Sequence, residues 1–344
     1  MGIESASKSR YLYEFDDNYK IKQTDCYATF DKDVYESGTF RYCYKGEIKD
    51  KNGKPSKPPL FPNEKCLVKV FKDKNYEKED FFNDLYNYFY AKNVTIAFNK
   101  FFKNRVPNLY YVTPYISSLQ EHAKYNYLYF IPIKDSDQAK KIKHDELIVI
   151  EPFLEGKYEK YINNICYEDD DYTDKTISLF LHWNWALTKG KTLLCDLQGV
   201  KRKNYFDLTD PAVQSINKLY GEGDLGSCSL ILFLASHKHN ENCKDLPWPD
   251  EHDMEKIKKL SDEIKLYGLY GCNDYKNIYL ELINSAFDNS NNIGVISFII
   301  VAIIFIFICF VIKKIKKRKT QDFNEITKKF ELKEFDNLFI KKIK

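Results

Sequence analysis

The sequence predicts an α+β fold, arranged as one large domain or as two lobes. Residues 26–30, 38–44 and 66–71 are short apolar or aromatic stretches typical of strands, whereas residues 76–102 carry hydrophobic side chains near helical spacing. Strands and helices do not alternate along the chain, which argues against a doubly wound dinucleotide-binding fold. The chain has 344 residues, 44% of them hydrophobic, so it can bury a substantial core.

The elements between these segments follow from local composition. Residues 1–20 are polar and are expected to form a flexible N-terminus, and residues 46–62 are rich in Gly, Lys and Pro, which predicts a loop. Residues 106–114 and 125–133 are predicted strands. Residues 146–151 form a further apolar strand that ends at a carboxylate before a proline, and such a segment suits a connection between two lobes.

Three oxygen-bearing side chains form a candidate magnesium site. Residues 192–195 predict a short buried strand, and Asp196 lies at its end. Residues two apart on a continuous strand face the same side, so Asp196 and Gln198 would point together. Asp210 precedes a proline and is predicted to lie on a turn. Carboxylate and amide oxygens suit magnesium, although a strand end and an ordinary turn aspartate explain the spacing equally well.

Two cations and one acid lie in predicted strands. Lys69 interrupts an apolar strand, and a buried ammonium needs a partner, which is either a nucleotide phosphate or a carboxylate. Arg41 follows a glycine in an aromatic strand, where its guanidinium either binds a phosphate or lies on an edge strand at the surface. Glu151 either anchors a segment that binds adenine or marks the exit of a strand.

A cluster of nitrogen and sulfur ligands points to zinc. His237, His239 and Cys243 lie within seven residues, and zinc takes four such ligands tetrahedrally. His182, on an apolar segment, is a candidate fourth ligand, although a lone histidine there is more often a core residue. A polar loop at a helix end is the alternative explanation of the short cluster. The apolar residues 230–235 predict a buried helix that carries His237 at its end.

Between these segments lies a glycine-rich stretch with Gly221, Gly223 and Gly226. It is similar to a phosphate-binding loop, but a single G-x-G-x-x-G pattern is weak evidence.

Together these residues resemble the alpha-kinases, the atypical protein kinases that include myosin heavy chain kinases, elongation factor 2 kinase and the kinase tails of certain TRP channels. The similarity covers residues 25–250 approximately. Its strongest parts are Asp196-Leu-Gln198-Gly-Val with Leu208-Thr-Asp210-Pro, and the glycine stretch followed by the His/Cys cluster. Glu151-Pro-Phe-Leu-Glu155-Gly, Gly38-Thr-Phe-Arg41 and Val68-Lys69 occur in the expected order.

The resemblance implies a two-lobed kinase domain over residues 21–285, with a β-rich N-lobe (21–150) and a mixed, zinc-containing C-lobe (151–285). It implies transfer of the γ-phosphate of Mg-ATP to serine or threonine hydroxyls of a protein substrate. The implied catalytic residue is Asp196. The residues implied to bind nucleotide and magnesium are Arg41, Lys69, Glu151 on the adenine side, Gln198 and Asp210 as magnesium ligands, and Gly221, Gly223 and Gly226. The implied ligands of a structural zinc are His182, His237, His239 and Cys243.

Three departures from the family pattern bear on activity. The loop between Gln198 and Asp210 is long because residues 201–203 are inserted, Asp224 replaces an asparagine, and His239 replaces a cysteine of the zinc site. Imidazole also binds zinc, so a site of three histidines and one cysteine is expected. The first two departures motivate an alternative, in which the chain is a weak or inactive pseudokinase that acts as a scaffold at a membrane.

Residues 293–312 are twenty uncharged, overwhelmingly apolar residues, which predicts one transmembrane helix. The basic residues 313–319 would by the positive-inside rule face the cytosol. The absence of an N-terminal signal segment and the cysteine content instead favour a kinase domain that faces the cytosol, with the tail 313–344 on the other side. The predicted localisation is therefore a single-pass membrane protein.

Charge and cysteine content limit the other possibilities. Residues 313–344 hold 12 Lys/Arg and 5 Asp/Glu of the chain's 53 and 50, which leaves a net charge of −4 on residues 1–312. An acidic body does not suggest a nucleic-acid partner. Nine cysteines, an odd number without a signal peptide, predict reduced thiols rather than a disulfide framework.

Overall fold

The chain folds into a β-barrel followed by a mixed part of small sheets and helices. The structure is a computed structural model that describes residues 6–15, 21–31, 33–72, 78–121, 146–168, 174–239, 241–268 and 275–288. In chain order its elements are β1 (Ser7–Phe15), β2 (Ile21–Phe30), β3 (Glu36–Ser37), β4 (Arg41–Asp50), β5 (Lys65–Phe71), α1 (Lys78–Phe101), β6 (Asn108–Tyr111), β7 (Tyr115–Glu121), β8 (Leu147–Pro152), β9 (Tyr158–Lys160), α2 (Lys175–Leu187), β10 (Thr192–Cys195), β11 (Gln198–Lys201), β12 (Tyr205–Thr209), β13 (Ala212–Ser215), α3 (Ser227–Ser236), α4 (Glu251–Tyr267) and α5 (Tyr275–Asp288).

Six antiparallel strands close the barrel. The seven-stranded sheet has the order β2-β1-β7-β8-β5-β4-β3, and β2 also pairs with β4. This extra pairing removes the exposed edges of the six strands from β2 to β4. The barrel core contains buried residues from every strand of the ring and from the loop before β5: Leu12, Ala28, Phe30, Tyr44, Ile48, Phe61, Cys66, Val68, Val70, Tyr115, Leu119, Ile148 and Ile150.

Strand alternation places the polar residues of the site on the outer face of the barrel. In β5, Cys66, Val68 and Val70 fill the core, so Lys69 points the other way. In β8, Ile150 lies in the core and Glu151 follows it on the opposite face. The helix α1, predicted as one or two helices over residues 76–102, is a single helix. It packs on this outer face, where its Asp84 pairs with Arg41 of β4.

Two smaller sheets follow the barrel. The order β6-β12-β11-β9 contains one parallel pair, β6 with β12, and β10 pairs with β13. The helix α2 is buried along its whole length from Thr176, which is typical of an internal helix. Its N-cap Asp174 accepts a hydrogen bond from the Thr176 backbone N–H. The helix α3 is buried from Ser227 to Leu234 and ends at His237, as predicted.

The prediction of a flexible N-terminus over residues 1–20 is wrong for Ser7–Phe15, which forms β1 between β2 and β7. Ser7, Ser9 and Leu12 are fully buried. The Ser9 hydroxyl accepts a hydrogen bond from the Ala28 backbone N–H and donates one to the Arg10 carbonyl, so a polar side chain is satisfied inside the sheet.

Several other predictions lie outside the described residues. These are the strand over 125–133, the transmembrane helix over 293–312 and the tail over 313–344. Among the described residues, every helix is too short or too polar to cross a bilayer. Residues 1–288 form one compact unit.

The expectation of reduced thiols needs a correction. The structure joins Cys166 to Cys195 in a disulfide, with a Cα–Cα distance of 5.2 Å, within the range that such bonds require. Both residues are fully buried. The odd cysteine count could not reveal this pair, because the two residues are 29 positions apart and meet only after folding. Cys26, Cys43 and Cys66 are free thiols.

Candidate active site

Lys69 lies at the centre of an ionic cluster formed by Arg41, Lys69, Asp84, Glu151 and Asp210. Its side chain is 3% exposed, and Nζ lies 2.8 Å from Glu151 Oε2 and 3.0 Å from Asp210 Oδ1. Arg41 Nη2 lies 2.7 Å from the same Asp210 oxygen, and Arg41 Nη1 lies 2.8 Å from Asp84 Oδ2. In the structure, carboxylates therefore pair with both cations for which the family resemblance implies phosphate binding.

Hydrogen bonds and one ion pair fix the buried side chain of Glu151, which the sequence placed at the end of a strand. Its side chain is 1% exposed. The Tyr88 hydroxyl donates to Oε1, and the Thr209 hydroxyl donates to Oε2. These donors come from α1 and β12, so Glu151 links the barrel to both neighbouring elements. These donors hold the Glu151 carboxylate in place, and it in turn fixes the ammonium of Lys69.

Burial and neighbouring charges shift the pKa values of two aspartates in opposite directions. Burial acts to raise the pKa of Asp210, but Lys69 and Arg41 outweigh it and lower the pKa to about 2. At Asp84 burial prevails over the attraction of Arg41, and the pKa is raised to about 6. Asp210 is therefore fully ionised at neutral pH, as a metal ligand must be.

Asp196 lies beside this cluster and is paired with Lys160. Lys160 Nζ lies 2.5 Å from Asp196 Oδ1. Burial raises the pKa of Asp196, Lys160 opposes the rise, and the charge of Asp210 adds to it. Asp196 and Asp210 therefore lie in one electrostatic environment, although 13 residues of β-hairpin and turns separate them in the chain.

The backbone at both aspartates corrects the prediction that Asp196 and Gln198 share one strand face. Asp196 and Asp210 each have φ of +55°, in the left-handed region, so the chain turns sharply at Asp196 and β11 begins only at Gln198. Alternation along a continuous strand does not apply across such a turn. Non-glycine residues in this region cluster at functional sites, where the surrounding structure stabilises the strain.

The inserted residues 201–203 leave the predicted magnesium ligands close together. β11 and β12 form an antiparallel hairpin in which Gln198 pairs with Thr209, directly before Asp210. The insertion lies at the far end of this hairpin, where Lys201 pairs with Asp174 at 2.6 Å and Arg202 with Asp207 at 2.9 Å. The long loop therefore does not disturb the pairing of Gln198 with the strand end that carries Asp210.

Gly199 permits the close pairing of this hairpin, and we expect Gly199→Ala to destroy it. A Cβ at Gly199, where φ is +150°, would lie 2.0 Å from the Asp207 carbonyl oxygen. The strands would have to separate beside Gln198, so nucleotide-dependent activity and melting temperature should both fall. Gly38→Ala is the control, because its Cβ would meet only Arg41 O at 3.7 Å. Equal melting temperatures for both variants would contradict this expectation.

The glycine stretch forms a loop over residues 220–226, here called the glycine loop, that leads into α3. Asp224, the second departure from the family pattern, is buried inside it. Its Oδ1 accepts from the backbone N–H groups of Ser215 (2.7 Å) and Gly226 (3.1 Å), and its Oδ2 accepts from the Ser215 hydroxyl (2.6 Å). Asp224 thus supports the loop from inside and does not point to a ligand.

The structure brings three of the four predicted zinc ligands into one group. His182, His239 and Cys243 place one ligand atom each within 4.8 Å of one another, and His237 Nε2 lies 3.7 Å from Cys243 Sγ. His182 Nδ1 is buried and has no hydrogen-bond partner among the described residues.

The other ring nitrogens of two histidines are bound to oxygens. His182 Nε2 lies 2.8 Å from the Pro247 carbonyl, and His237 Nδ1 lies 2.6 Å from Glu168 Oε1. A carbonyl only accepts, so His182 Nε2 carries the proton and Nδ1 keeps its lone pair. Burial lowers the pKa of His182 well below its usual value and, with His237, lowers that of His239 to about 4. The neutral rings of His182 and His239 fit a metal ion. Burial acts to lower the pKa of His237, but its hydrogen bonds with Cys243 and Glu168 outweigh this effect and raise the pKa.

Sequence patterns alone missed Asp84, Tyr88 and Lys160. Asp84 lies three residues after Phe81 and four before Tyr88, so a carboxylate on the apolar face of α1 was an available signal for a buried ion pair. Lys160 gave no signal, because its position depends on the pairing of β9 with β11.

Comparisons with known proteins agree with this geometry. Among solved structures, an alpha kinase from Entamoeba histolytica superposes with a TM-score of 0.55 at 21% identity, covering 73% of this chain and 95% of that chain. The alpha-kinase domain of myosin heavy chain kinase A in complex with ADP superposes with a TM-score of 0.52 at 19% identity, covering 72% and 99%. The fold is therefore that of an alpha-kinase domain.

The sequence comparisons identify the family. The model of the alpha-kinase family matches residues 36–243, and the chain belongs to that family. Alpha-protein kinase vwkA of Dictyostelium discoideum is 38% identical over 110 residues, which are 31% of this chain and 18% of that protein. Human transient receptor potential cation channel subfamily M member 6 is 32% identical over 117 residues, 31% of this chain and 5% of that protein. The chain thus matches a small part of these longer relatives.

Proposed function

We propose that the chain is an ATP-dependent serine/threonine protein kinase of the alpha type. The observation that supports this most strongly is the ionic cluster beside the Asp196–Lys160 pair in an alpha-kinase fold. Phosphoryl transfer depends mainly on positioning and on neutralisation of charge. The cluster supplies two cations, Lys69 and Arg41, each held by carboxylates.

Each residue has a definite part in this proposal. Arg41 and Lys69 exchange Asp210 for phosphate oxygens of the nucleotide, and Glu151 keeps Lys69 oriented and lies on the adenine side. Gln198 and Asp210 hold magnesium, which neutralises charge on the phosphates when it is bound. Asp196 orients the substrate hydroxyl and accepts its proton, and the glycine loop borders the cofactor site.

The alternative, a pseudokinase scaffold, loses both features that motivated it. The inserted residues 201–203 form the end of a hairpin, and the Asp224 carboxylate is bonded within its own loop. A scaffold also does not need Lys69, Asp196, Gln198 and Asp210 together. We therefore favour the active enzyme.

Transfer of labelled γ-phosphate from Mg-ATP to a basic protein tests the activity. We expect phosphoserine or phosphothreonine on the protein substrate, and none when magnesium is chelated. Tight nucleotide binding without any transfer, from a folded and zinc-loaded preparation, would instead support the scaffold.

We also propose that His182, His237, His239 and Cys243 bind one structural zinc ion. The unpartnered Nδ1 of His182 supports this, as does the hydrogen bond with Glu168 that orients the His237 ring beside Cys243. A site with four protein ligands and no open position is structural, and it contributes directly to folding free energy.

Replacement of His182 tests the zinc site. We expect His182→Ala to lose the zinc and to lower the free energy of unfolding by more than about 4 kcal/mol, the range in which the loss of a metal site falls. Metal analysis and thermal unfolding measure both effects. His252→Ala, at an exposed position of α4, is the control and should change neither. A zinc-free parent chain that is insensitive to added zinc would rule the site out.

Membrane anchoring through residues 293–312 remains a proposal that rests on the apolar sequence alone. In this proposal the kinase domain faces the cytosol and meets its protein substrate at the membrane. Carbonate extraction of membranes from cells that express the full chain, beside a chain that ends at residue 288, tests the anchor. Extraction of both chains into the soluble fraction would argue against it.

A further inference from the structure

A single buried amide connects the glycine loop to the segment that holds Asp196. Gln214 in β13 is fully buried. Its Nε2 donates to the Gly223 carbonyl of the glycine loop and to the Asn164 carbonyl, each at 2.9 Å. Its Oε1 accepts from the Leu225 backbone N–H at 2.5 Å. Both donor hydrogens and the acceptor of this side chain are therefore used between two segments that are remote in sequence.

The segment that contains Asn164 also binds the backbone of Asp196. The Asp196 N–H donates to the Asn163 carbonyl at 3.1 Å, and the neighbouring Asn164 carbonyl is the one that Gln214 binds. Gln214 is thus two hydrogen bonds away from the backbone of the proposed catalytic aspartate. The left-handed conformation of Asp196 needs such external support.

The other end of the connection, the glycine loop, is braced by hydrogen bonds and lies close to residues that flank Arg41 and its partner Asp84. Asp224 braces it against Ser215, next to Gln214 in β13. A Cβ built at Gly223 would lie 3.8 Å from Phe40, and one at Gly221 would lie 3.2 Å from the Asn83 Cβ. Phe40 precedes Arg41, and Asn83 precedes the aspartate that pairs with Arg41, so the loop abuts both sides of the phosphate-binding arginine.

We propose that Gln214 is a positioning residue for phosphoryl transfer. It fixes the distance between Asp196, which accepts the substrate proton, and the glycine loop, which lies beside Arg41. The hydrogen bonds of Gln214 go to Asn164, Gly223 and Leu225, and not to the charged side chains proposed to hold phosphate and magnesium. Its loss should therefore disturb transfer to a protein much more than the binding of Mg-ATP. The inference rests on the proposed kinase activity.

Steady-state kinetics of the full-length Gln214→Leu variant tests this role. We expect kcat with a basic protein substrate to fall about ten- to hundredfold, the loss that a small misplacement of reacting groups produces. The KM for Mg-ATP should stay within about twofold of the parent value, since Arg41, Lys69 and Glu151 keep their own partners. The assays contain a reductant, so that the disulfide between Cys166 and Cys195 does not hold the Asp196 segment by itself.

Asn99→Leu is the matched control. Asn99 also uses one amide to bind a backbone carbonyl and an N–H, those of Leu109, at 2.8 and 2.9 Å, and it joins α1 to β6 away from the glycine loop. Its loss removes comparable hydrogen bonds, so both variants should lose stability. Equal loss of activity in the two variants, after correction for the folded fraction, would overturn the proposal. A rise in the KM for Mg-ATP with unchanged kcat for Gln214→Leu would overturn it as well.

Amide hydrogen exchange separates this inference from the proposed function. In Gln214→Leu, and not in Asn99→Leu, we expect faster exchange at Leu225, which loses its acceptor, and also at Asp196, whose acceptor is no longer held. Faster exchange at Leu225 with unchanged protection at Asp196 would show that no link exists. This result decides the link even if the parent chain transfers no phosphate, an outcome that would refute only the kinase activity.

Discussion

Replacement of Lys69 by methionine is expected to abolish ATP binding and to lower the free energy of unfolding by about 3–5 kcal/mol. Glu151 is 1% exposed, and its ion-pair partner Lys69 lies 2.8 Å away. Removal of the ammonium leaves a buried, uncompensated carboxylate and deprives Asp210 of one of its two cations. Such a loss is large because a buried charge without its partner is costly.

Chemical denaturation and calorimetric titration with Mg-ATP measure the two effects of Lys69→Met. Lys65→Met is the matched control. Lys65 lies four residues earlier in the same strand and pairs with Glu155 at 2.6 Å, but both side chains are more than half exposed. An exposed pair contributes little, so this variant should bind ATP and unfold like the parent. Similar unfolding curves for Lys69→Met and Lys65→Met would refute the structural role assigned to the cluster.

The second large effect is expected for Asp196→Asn, which should lower kcat by about 10²- to 10⁴-fold, the contribution of a positioned proton acceptor. Asparagine has the same shape and tolerates the left-handed backbone that Asp196 adopts, so the fold should persist. The amide cannot accept the substrate proton, and it no longer forms an ion pair with Lys160. Affinity for Mg-ATP should change little.

Asp207→Asn is the control for this variant, because it removes a carboxylate from the same hairpin at its pair with Arg202, away from the site. It should retain parent kcat. Loss of activity in both variants to the same degree would mean that the hairpin responds to any loss of charge. The specific role of Asp196 would then lose its support.

The parts of the fold that the sequence predicted are those specified by nearby residues. β5, α1 and α3 follow from apolar runs and helical spacing, and their buried faces match these patterns. β1 was missed because its strand is polar, and it is stabilised by pairing with β2 and β7. No local pattern predicts that β2 also pairs with β4 and closes the barrel.

In the site, too, some residues could be predicted from the sequence and others depend on pairing across the fold. Lys69, Glu151 and Asp210 were identified through resemblance to a family, and the structure brings them within hydrogen-bond distance. The sequence pattern did not identify the partner of Lys69, which could have been a phosphate or a carboxylate. Lys160 and Gln214 depend on strand pairings across the fold, so a one-dimensional pattern does not single them out.

Nucleotide binding and phosphate transfer, followed in one preparation of the full-length chain beside its Asp196→Asn variant, test the proposed kinase activity. We expect both proteins to bind Mg-ATP with similar affinity. Only the parent should transfer γ-phosphate to serine or threonine of a protein substrate. Transfer at the parent rate by Asp196→Asn, or binding without transfer by the parent, would contradict the proposed activity.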